Sequence, residues 1–292
     1  IDMKKIIILG GSGFLGKLLI NRLQKENFQI KTMIHSNDID IKIEKFKGDI
    51  LSDSFIEKEI SKGDTIVNFV GQYSGDLSNF VNLNITGGIN LLNSCVKKKV
   101  KQIILISTIN VYGENLKNSS KETDMILTKD PYGIVKFTAE KIYKDYSDTY
   151  GLNVTILRLS HIYGPNKKIG IISVLLQSII KNKNYTLFNN GKQLRDFLYV
   201  DDALDGILNS IKLPQKKFHI FNISSNIRYS LNDIVKIIEN ISHKKMKISL
   251  NPKIPDEKCI WANNSKSKKI LKLKPKINLK NGLGITYKSL LK

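Results

Sequence analysis

The turn Leu9-Gly10-Gly11-Ser12-Gly13-Phe14-Leu15-Gly16 constrains the fold of this chain more than any other stretch. It follows the β-branched run Lys5 to Leu9 and opens the amphipathic stretch Phe14 to Lys25, so it stands where a strand hands over to a helix. Read from Gly11 it fits GxGxxG, and from Gly10 it fits GxxGxxG. Glycines at such a turn let the backbone approach a pyrophosphate, and the helix behind them offers N–H groups and the positive end of its dipole. Gly10, Gly13, Phe14, Leu15 and Gly16 are therefore candidate dinucleotide contacts.

The first half of the chain continues in that pattern. Short β-branched runs (Gln29 to Ile34, Ile43 to Lys47, Thr65 to Phe69, Gln102 to Ser107, Asn153 to Leu159) alternate with longer amphipathic ones (Ser52 to Ile60, Asn79 to Lys97, Tyr132 to Tyr150). This predicts an α/β, Rossmann-type doubly wound parallel sheet, its strands buried on both faces. After Gly164-Pro165 the pattern becomes irregular. We expect helices over Ile172 to Lys181, Asp202 to Ile211, Ser265 to Leu271 and Leu279 to Leu291, a strand over Phe218 to Ile223, and a helix from Ser230 capped by that serine. Residues 1–165 are read as the dinucleotide-binding domain, with 196–222 returning to it. Residues 166–195 and 223–292 are read as a smaller substrate-binding region.

Composition narrows the classes. Two cysteines, Cys95 and Cys259, make no disulfide framework, and His35, His161, His219 and His243 lack ligand spacing, so no metal site is expected. No run is long and apolar enough for a membrane span, and a reducing cytoplasm is the expected setting. The net charge of +21 invites a nucleic-acid reading. Yet only Arg22, Arg158, Arg195 and Arg228 are arginine among 47 basic residues, and no stacking aromatics are interleaved with the lysines that crowd the chain after residue 241. A solvated basic face, without nucleic acid, is the simpler reading.

Other residues suggest chemistry directly. An acid some ~20 residues past the last motif glycine usually holds the ribose 2′-hydroxyl of NAD. Here Ile34 or His35 takes that place and Asp38 comes late, which points to NADP over NAD although no arginine is present for a 2′-phosphate. Asp49, beside Ile50 after the third strand, can accept from an adenine amino group, while Asp53 serves equally as a helix cap. Tyr132 and Lys136 are four apart on a helix, an arrangement that sets an ammonium beside a phenol and brings the phenol towards neutrality. Such a phenol exchanges protons with a sugar hydroxyl or ketone.

Several spaced pieces then occur in one order: the glycine turn, Gly48-Asp49, Asn84 with Gly87 and Asn90-Leu91-Leu92, Ile106-Ser107-Thr108 with Val111-Tyr112-Gly113, Tyr132 with Lys136, Arg158 with Tyr163-Gly164-Pro165, and Arg195-Asp196-Phe197 with Val200-Asp201-Asp202. With them the chain resembles, over nearly its whole length, an extended short-chain dehydrogenase/reductase of the nucleotide-sugar epimerase/dehydratase kind. The resemblance implies that Thr108 is the catalytic hydroxyl and Tyr132 the acid/base. It implies that Lys136 lowers the pKa of Tyr132 and binds the nicotinamide ribose. Ser107 is read as a buried residue bonded to backbone. Thr108, Ile109, Asn110, Tyr132, His161 and Arg195 would meet a nucleotide-diphosphate sugar, Arg195 at the diphosphate. His161 stands where relatives often carry asparagine, and the arginine that relatives place upstream of Ala262 is absent, with Lys258 the nearest cation. The resemblance also implies a homodimer built on the helices Asn79 to Lys97 and Tyr132 to Tyr150.

Departures from the family pattern guide the reaction. Dehydratases of this kind place Asp-Glu after the catalytic threonine, whereas this chain has Ile109-Asn110, so elimination is not expected. Cys95 falls in a helix and is read as packed, which removes the Cys/His pair of the multi-carbon epimerases. Reduction of a 4-keto-6-deoxyhexose nucleotide at C4 is the first expectation and a UDP-hexose type 4-epimerase the second. A non-catalytic dinucleotide sensor or RNA-binding relative is the distant third.

Overall fold

A computed structural model describes residues 5–35, 39–71, 75–115, 117–214, 217–252 and 259–291. Asp38 and Lys258 lie outside the described residues. The chain runs β1 (Ile6–Leu9), α1 (Phe14–Lys25), β2 (Ile30–Ile34), β3 (Glu44–Lys47), α2 (Asp53–Glu59) and β4 (Thr65–Asn68). Next come α3 (Leu77–Val81), a π-helical segment (Asn82–Thr86), α4 (Gly87–Lys98), β5 (Gln102–Thr108), a 3-10 turn (Ile109–Tyr112), α5 (Pro131–Tyr150) and β6 (Val154–Leu159). The remainder is β7 (His161–Tyr163), α6 (Ile171–Ile180), β8 (Tyr185–Phe188), β9 (Leu194–Tyr199), α7 (Val200–Ile211) and β10 (Phe218–Ile223), followed by β11 (Arg228–Ser230), α8 (Leu231–Ser242), β12 (Ile248–Asn251), β13 (Cys259–Ile260), α9 (Ser265–Ile270) and α10 (Leu279–Leu290).

The main sheet has the order β10-β6-β5-β4-β1-β2-β3. β1 pairs in parallel with both β2 and β4, so the chain reverses its winding there, and the crevice at the carboxyl ends of these two strands is where such sheets bind ligands. Every residue of β1, β4, β5 and β6 is buried, as a sheet covered on both faces requires. One apolar cluster holds Ile7, Leu9, Ile66, Ile103 and Leu105 from the strands against Leu91, Leu92, Ala139 and Tyr143 from α4 and α5. Each such side chain contributes about 1.5–3 kcal/mol of burial energy.

α5 starts where its sequence tells it to. Asp130 caps the helix by accepting from the Tyr132 N–H at 3.3 Å, and Pro131, which has no N–H to leave unpaired, takes the first helical position. Gly151 ends it with φ +70. α8 begins with a capping box, Ser230 with Asp233, on the serine that the sequence nominates.

The chain divides into two compact units, one of residues 1–111, 128–158 and 206–221, the other of 112–127, 159–205 and 222–292. The boundary therefore falls earlier than the expected residue 165, and 112–127 goes to the second unit. Backbone bonds explain that placement: Asn115 N–H donates to the Cys259 carbonyl at 2.9 Å, and Ser120 N–H to that of Trp261 at 3.1 Å. β7 joins the second unit because it pairs with β9. No described helix is long and apolar enough to cross a membrane.

Candidate active site

The glycine turn is shaped by close approach. Gly10 has φ +83, and a Cβ on Gly16 would lie 2.4 Å from the Gly10 carbonyl oxygen, so α1 is pressed against the turn as only glycine allows. No side chain caps α1 and no acid stands in its first turn, so the positive end of its dipole meets the glycine turn without a carboxylate to offset it. A cavity of about 390 Å³ opens beside it, lined by Gly10 and Ser12, by Met33 and His35 at the end of β2, by Asp49, Ile50 and Leu51 after β3, and by Val70, Asn79 and Leu83. Of the expected cofactor contacts it gathers Gly10, His35, Asp49 and Ile50. Gly13, Phe14, Leu15 and Gly16 lie at the cap and in the first turn of α1. This cradle fits a dinucleotide: an anion-binding helix end, a backbone with no side chain in the way, and a partly apolar slot beyond.

At the ribose position the His35 Nε2 and an Asp49 carboxylate oxygen stand 3.9 Å apart. The other Asp49 oxygen accepts from the Leu51 N–H at 2.9 Å. No arginine is among the described residues that line the cavity. α2 starts at Asp53, with Ser52 in the capping position.

The expected catalytic residues Thr108, Tyr132 and Lys136 lie in the first unit. Thr108 ends β5, and its side chain hydrogen-bonds the Tyr132 phenol. The phenol ring also stacks on Phe80, with centroids 5.3 Å apart and planes 18° from parallel. Gly133 lets the start of α5 close on Thr128 and on the segment after Thr108, since a Cβ there would meet Thr128 Oγ1 at 2.3 Å and the Asn110 carbonyl at 2.8 Å. Asn110 N–H in turn donates to Thr108 Oγ1 at 3.2 Å. Ile109 has no exposed surface, so its side chain packs inward and is withdrawn from the expected substrate contacts.

Lys136 corrects the expectation attached to it. Its Nζ donates to Asn84 Oδ1 at 3.0 Å and to the Ile106 carbonyl at 3.1 Å. Burial pushes the ammonium down to about 8, opposed by the charge of Glu140. Tyr132 is not lowered in this protein: burial raises it above its ordinary value and Asp130 adds to that, while the Thr108 hydrogen bond works the other way. Spacing along the helix was right about the shared face, but the ammonium is spent on backbone and amide oxygens.

Two supports escaped the sequence reading. Asn84, quoted only as part of a resemblance, sits in the π-helical segment and is fixed by donating to the Phe80 and Gly71 carbonyls at 2.8 and 3.3 Å. Glu140 is buried one turn beyond Lys136, where Arg158 grips it at 2.6 and 3.1 Å and Ser107 Oγ donates to it at 2.5 Å. Ser107 is thus buried as expected, but bonded to a carboxylate and not to backbone. A carboxylate on the inward face of a helix, four residues past a lysine, was the readable signal.

His161 and Arg195 belong to the second unit. The His161 ring lies against Phe197 with centroids 5.7 Å apart, and its Nδ1 is 3.2 Å from the Asp196 carbonyl. Arg195 NH1 donates to the Leu194 carbonyl at 3.0 Å. Cys95 is fully buried and burial pushes its thiol up, which suits packing and not catalysis. Among the described residues no group of His, Cys, Asp or Glu is placed to hold a metal ion.

A model of the NAD-dependent epimerase/dehydratase family matches residues 6–224. The chain belongs to that family. As a member of the NAD-dependent epimerase/dehydratase family it is a nucleotide-sugar enzyme, and the Rossmann-type sheet is the family's own. It is 28% identical to an uncharacterised UDP-glucose epimerase of Bacillus subtilis, YtcB, over 96% of this chain and 95% of that one. It is 29% identical to a putative UDP-glucose 4-epimerase of Methanocaldococcus jannaschii, over 95% of each. Among solved structures, the UDP-glucuronic acid 4-epimerase of Bacillus cereus in complex with UDP-glucuronic acid and NAD superposes with a TM-score of 0.88 at 25% identity, covering 98% of this chain and 99% of that one.

Proposed function

We propose that this chain is an NAD-dependent 4-epimerase of UDP-sugars. The observation that carries this reading is the isolation of Tyr132: Thr108 bonds its phenol, Lys136 lies one turn on, and the residues after Thr108 are Ile109, buried, and Asn110, which cannot ionise. One acid/base suffices to take the proton from a sugar 4-hydroxyl and return it after the ring has presented its other face, whereas elimination needs a second. Tyr132 Oη is the atom that receives and gives back the proton, Thr108 orients it, and Lys136 holds Asn84 and the end of β5 in place. When bound, NAD supplies the hydride acceptor and donor and, oxidised, a positive charge that favours the phenolate. Burial keeps the phenol protonated otherwise.

The first expectation, a 4-ketoreductase using NADP, finds no comparable support. Its main ground was the missing acid after β2, and the Asp49 carboxylate 3.9 Å from His35 opposes a 2′-phosphate there, with no arginine in the cavity to offset it. NAD is the cofactor named with the Bacillus cereus structure. The test is to incubate purified protein with UDP-glucose, UDP-galactose or UDP-glucuronic acid and no added cofactor. Interconversion at C4, with NAD released on denaturation, is the expected result. Inert UDP-sugars together with NADPH-dependent reduction of a 4-keto sugar nucleotide would restore the ketoreductase.

A further inference from the structure

The last three residues of β5 run past one of their neighbours. β4 ends at Asn68, opposite Leu105, so Ile106, Ser107 and Thr108 extend beyond it on that side. A strand end that lacks a ladder on one flank needs other partners to hold a fixed geometry. Thr108, whose side chain bonds the Tyr132 phenol, is the last residue of this overhang. Successive side chains of a strand alternate in direction, so whatever holds the hydroxyl at 107 also sets the direction in which 108 projects.

α5 supplies the partners from one face. Tyr132, Lys136 and Glu140 are spaced by four along it and take the overhanging residues one apiece. Lys136 Nζ donates to the Ile106 carbonyl at 3.1 Å, Glu140 Oε1 accepts from Ser107 Oγ at 2.5 Å, and the Tyr132 phenol meets the Thr108 side chain. Glu140 is itself fixed from a second element. Arg158 on β6 donates through Nε to each carboxylate oxygen at 3.1 Å and through NH2 to Oε2 at 2.6 Å. A guanidinium fork of this kind holds a carboxylate in one orientation. Glu140 and Arg158 keep 2% of their surface exposed and Ser107 4%, so these bonds act in a low local dielectric, where they are strong. The path from Arg158 through Glu140 and Ser107 therefore ends one residue short of the hydroxyl that bonds Tyr132.

We propose that Glu140, held by Arg158, is a positioning residue that acts through Ser107 to aim the Thr108 hydroxyl at Tyr132. The proposal rests on the UDP-sugar reading above and gives a role to a buried carboxylate outside the proton-transferring pair. Ser107→Ala cuts the link and leaves the Glu140–Arg158 pair whole. Glu140→Asp keeps a charge for Arg158 but draws the carboxylate back by one methylene, and a double variant combines the two. Ser210→Ala is the control for lost stability alone, since it removes a buried hydroxyl of the first unit that donates to the Ile207 carbonyl at 2.6 Å. Each protein is assayed for C4 interconversion of the UDP-sugar that wild type accepts, with NAD content and urea midpoint measured alongside. Ser107→Ala and Glu140→Asp are each expected to lower kcat about 10- to 100-fold with KM and NAD content unchanged, the scale of a small misplacement of a reacting group. The double variant should fall no further than the slower single variant, as for two residues on one path. Ser210→Ala should lower the urea midpoint and leave kcat at the wild-type value. Unchanged kcat in either single variant, a loss confined to KM, single effects that multiply in the double variant, or an equal loss of kcat in Ser210→Ala overturns the role of Glu140 and leaves the epimerase reading standing. A wild-type protein that interconverts no UDP-sugar overturns that reading and this inference with it.

Discussion

The two units handle charge in opposite ways. In the first, the charged groups near the reacting centre are buried and locked: Glu140 accepts from Arg158 and Ser107, and Lys136 is held by Asn84 and the Ile106 carbonyl. In the second, cationic side chains lean on backbone carbonyls, Lys167 on Ile162 and Arg195 on Leu194, around a histidine kept neutral. Carbonyls hold a cation without cancelling it. The first unit thus ties its charges into closed side-chain networks, whereas the second rests these two cations on backbone oxygens. The contrast extends to the strands, since β1, β4, β5 and β6 are buried throughout, whereas β8 and β12 are largely half-buried or exposed.

The comparison breaks first if the first unit is not where chemistry happens. Tyr132→Phe should lower turnover at least ~10³-fold while the protein retains its NAD, measured by product formation and by cofactor released on denaturation. Retained activity would remove Tyr132 from the mechanism. Next, Glu140→Ala leaves Arg158 buried without its carboxylate and should cost about 3–5 kcal/mol in urea unfolding, the loss expected on breaking a buried pair. A loss below 1 kcal/mol would mean that the first unit is no more tightly bound by charge than the second.

The second unit is probed through pH. Folded His161 titrates at about 3 and an unfolded histidine at 6.5, so between those values the unfolded state binds a proton that the folded state refuses. Stability from this group is therefore complete above 6.5 and is lost as pH falls towards 3. Going from about pH 7 to about pH 4, wild type should lose roughly 2 kcal/mol more than His161→Asn, a figure reduced from the full shift because the ring is part-exposed. Equal losses would show an imidazole that charges freely. The smallest effect belongs to a purely local device in the same unit: Ser230→Ala removes one half of the α8 capping box and should cost ~1 kcal/mol with no change in UDP binding.

How far the sequence could be read follows the same division. α1 and β10 occupy the predicted residues because their signals are local, a glycine turn before one and a β-branched run bounded by polar residues in the other. β7, β8, β11, β12 and β13 were not anticipated. They have two to four residues each and exist through partners far away, as Cys259 beside Leu194 and Arg228 opposite Asp196 illustrate. The helix expected over Asn79 to Lys97 is real but broken by the π-helical segment, which no composition signal marks and which turns Asn84 towards Lys136. At the site, the resemblance implies that Tyr132 and Thr108 act together, and helical spacing sets Lys136 on the face of Tyr132. Spacing misjudged Lys136, because it says which face a side chain shares and nothing about which acceptor it finds.

The route of the chain through its two units has a bearing on biosynthesis. The backbone passes from one unit to the other five times, and the outermost strand of the main sheet, β10, is not made until residue 223. Until then β6, mostly apolar apart from Thr155 and Arg158, is an open edge whose outer N–H and C=O groups have no strand partner. A nascent chain stalled between residues 160 and 215 therefore carries Tyr132, the glycine turn and an open sheet edge at the same time. That edge stays unpaired for the time it takes to add some sixty residues, at ~5–20 per second.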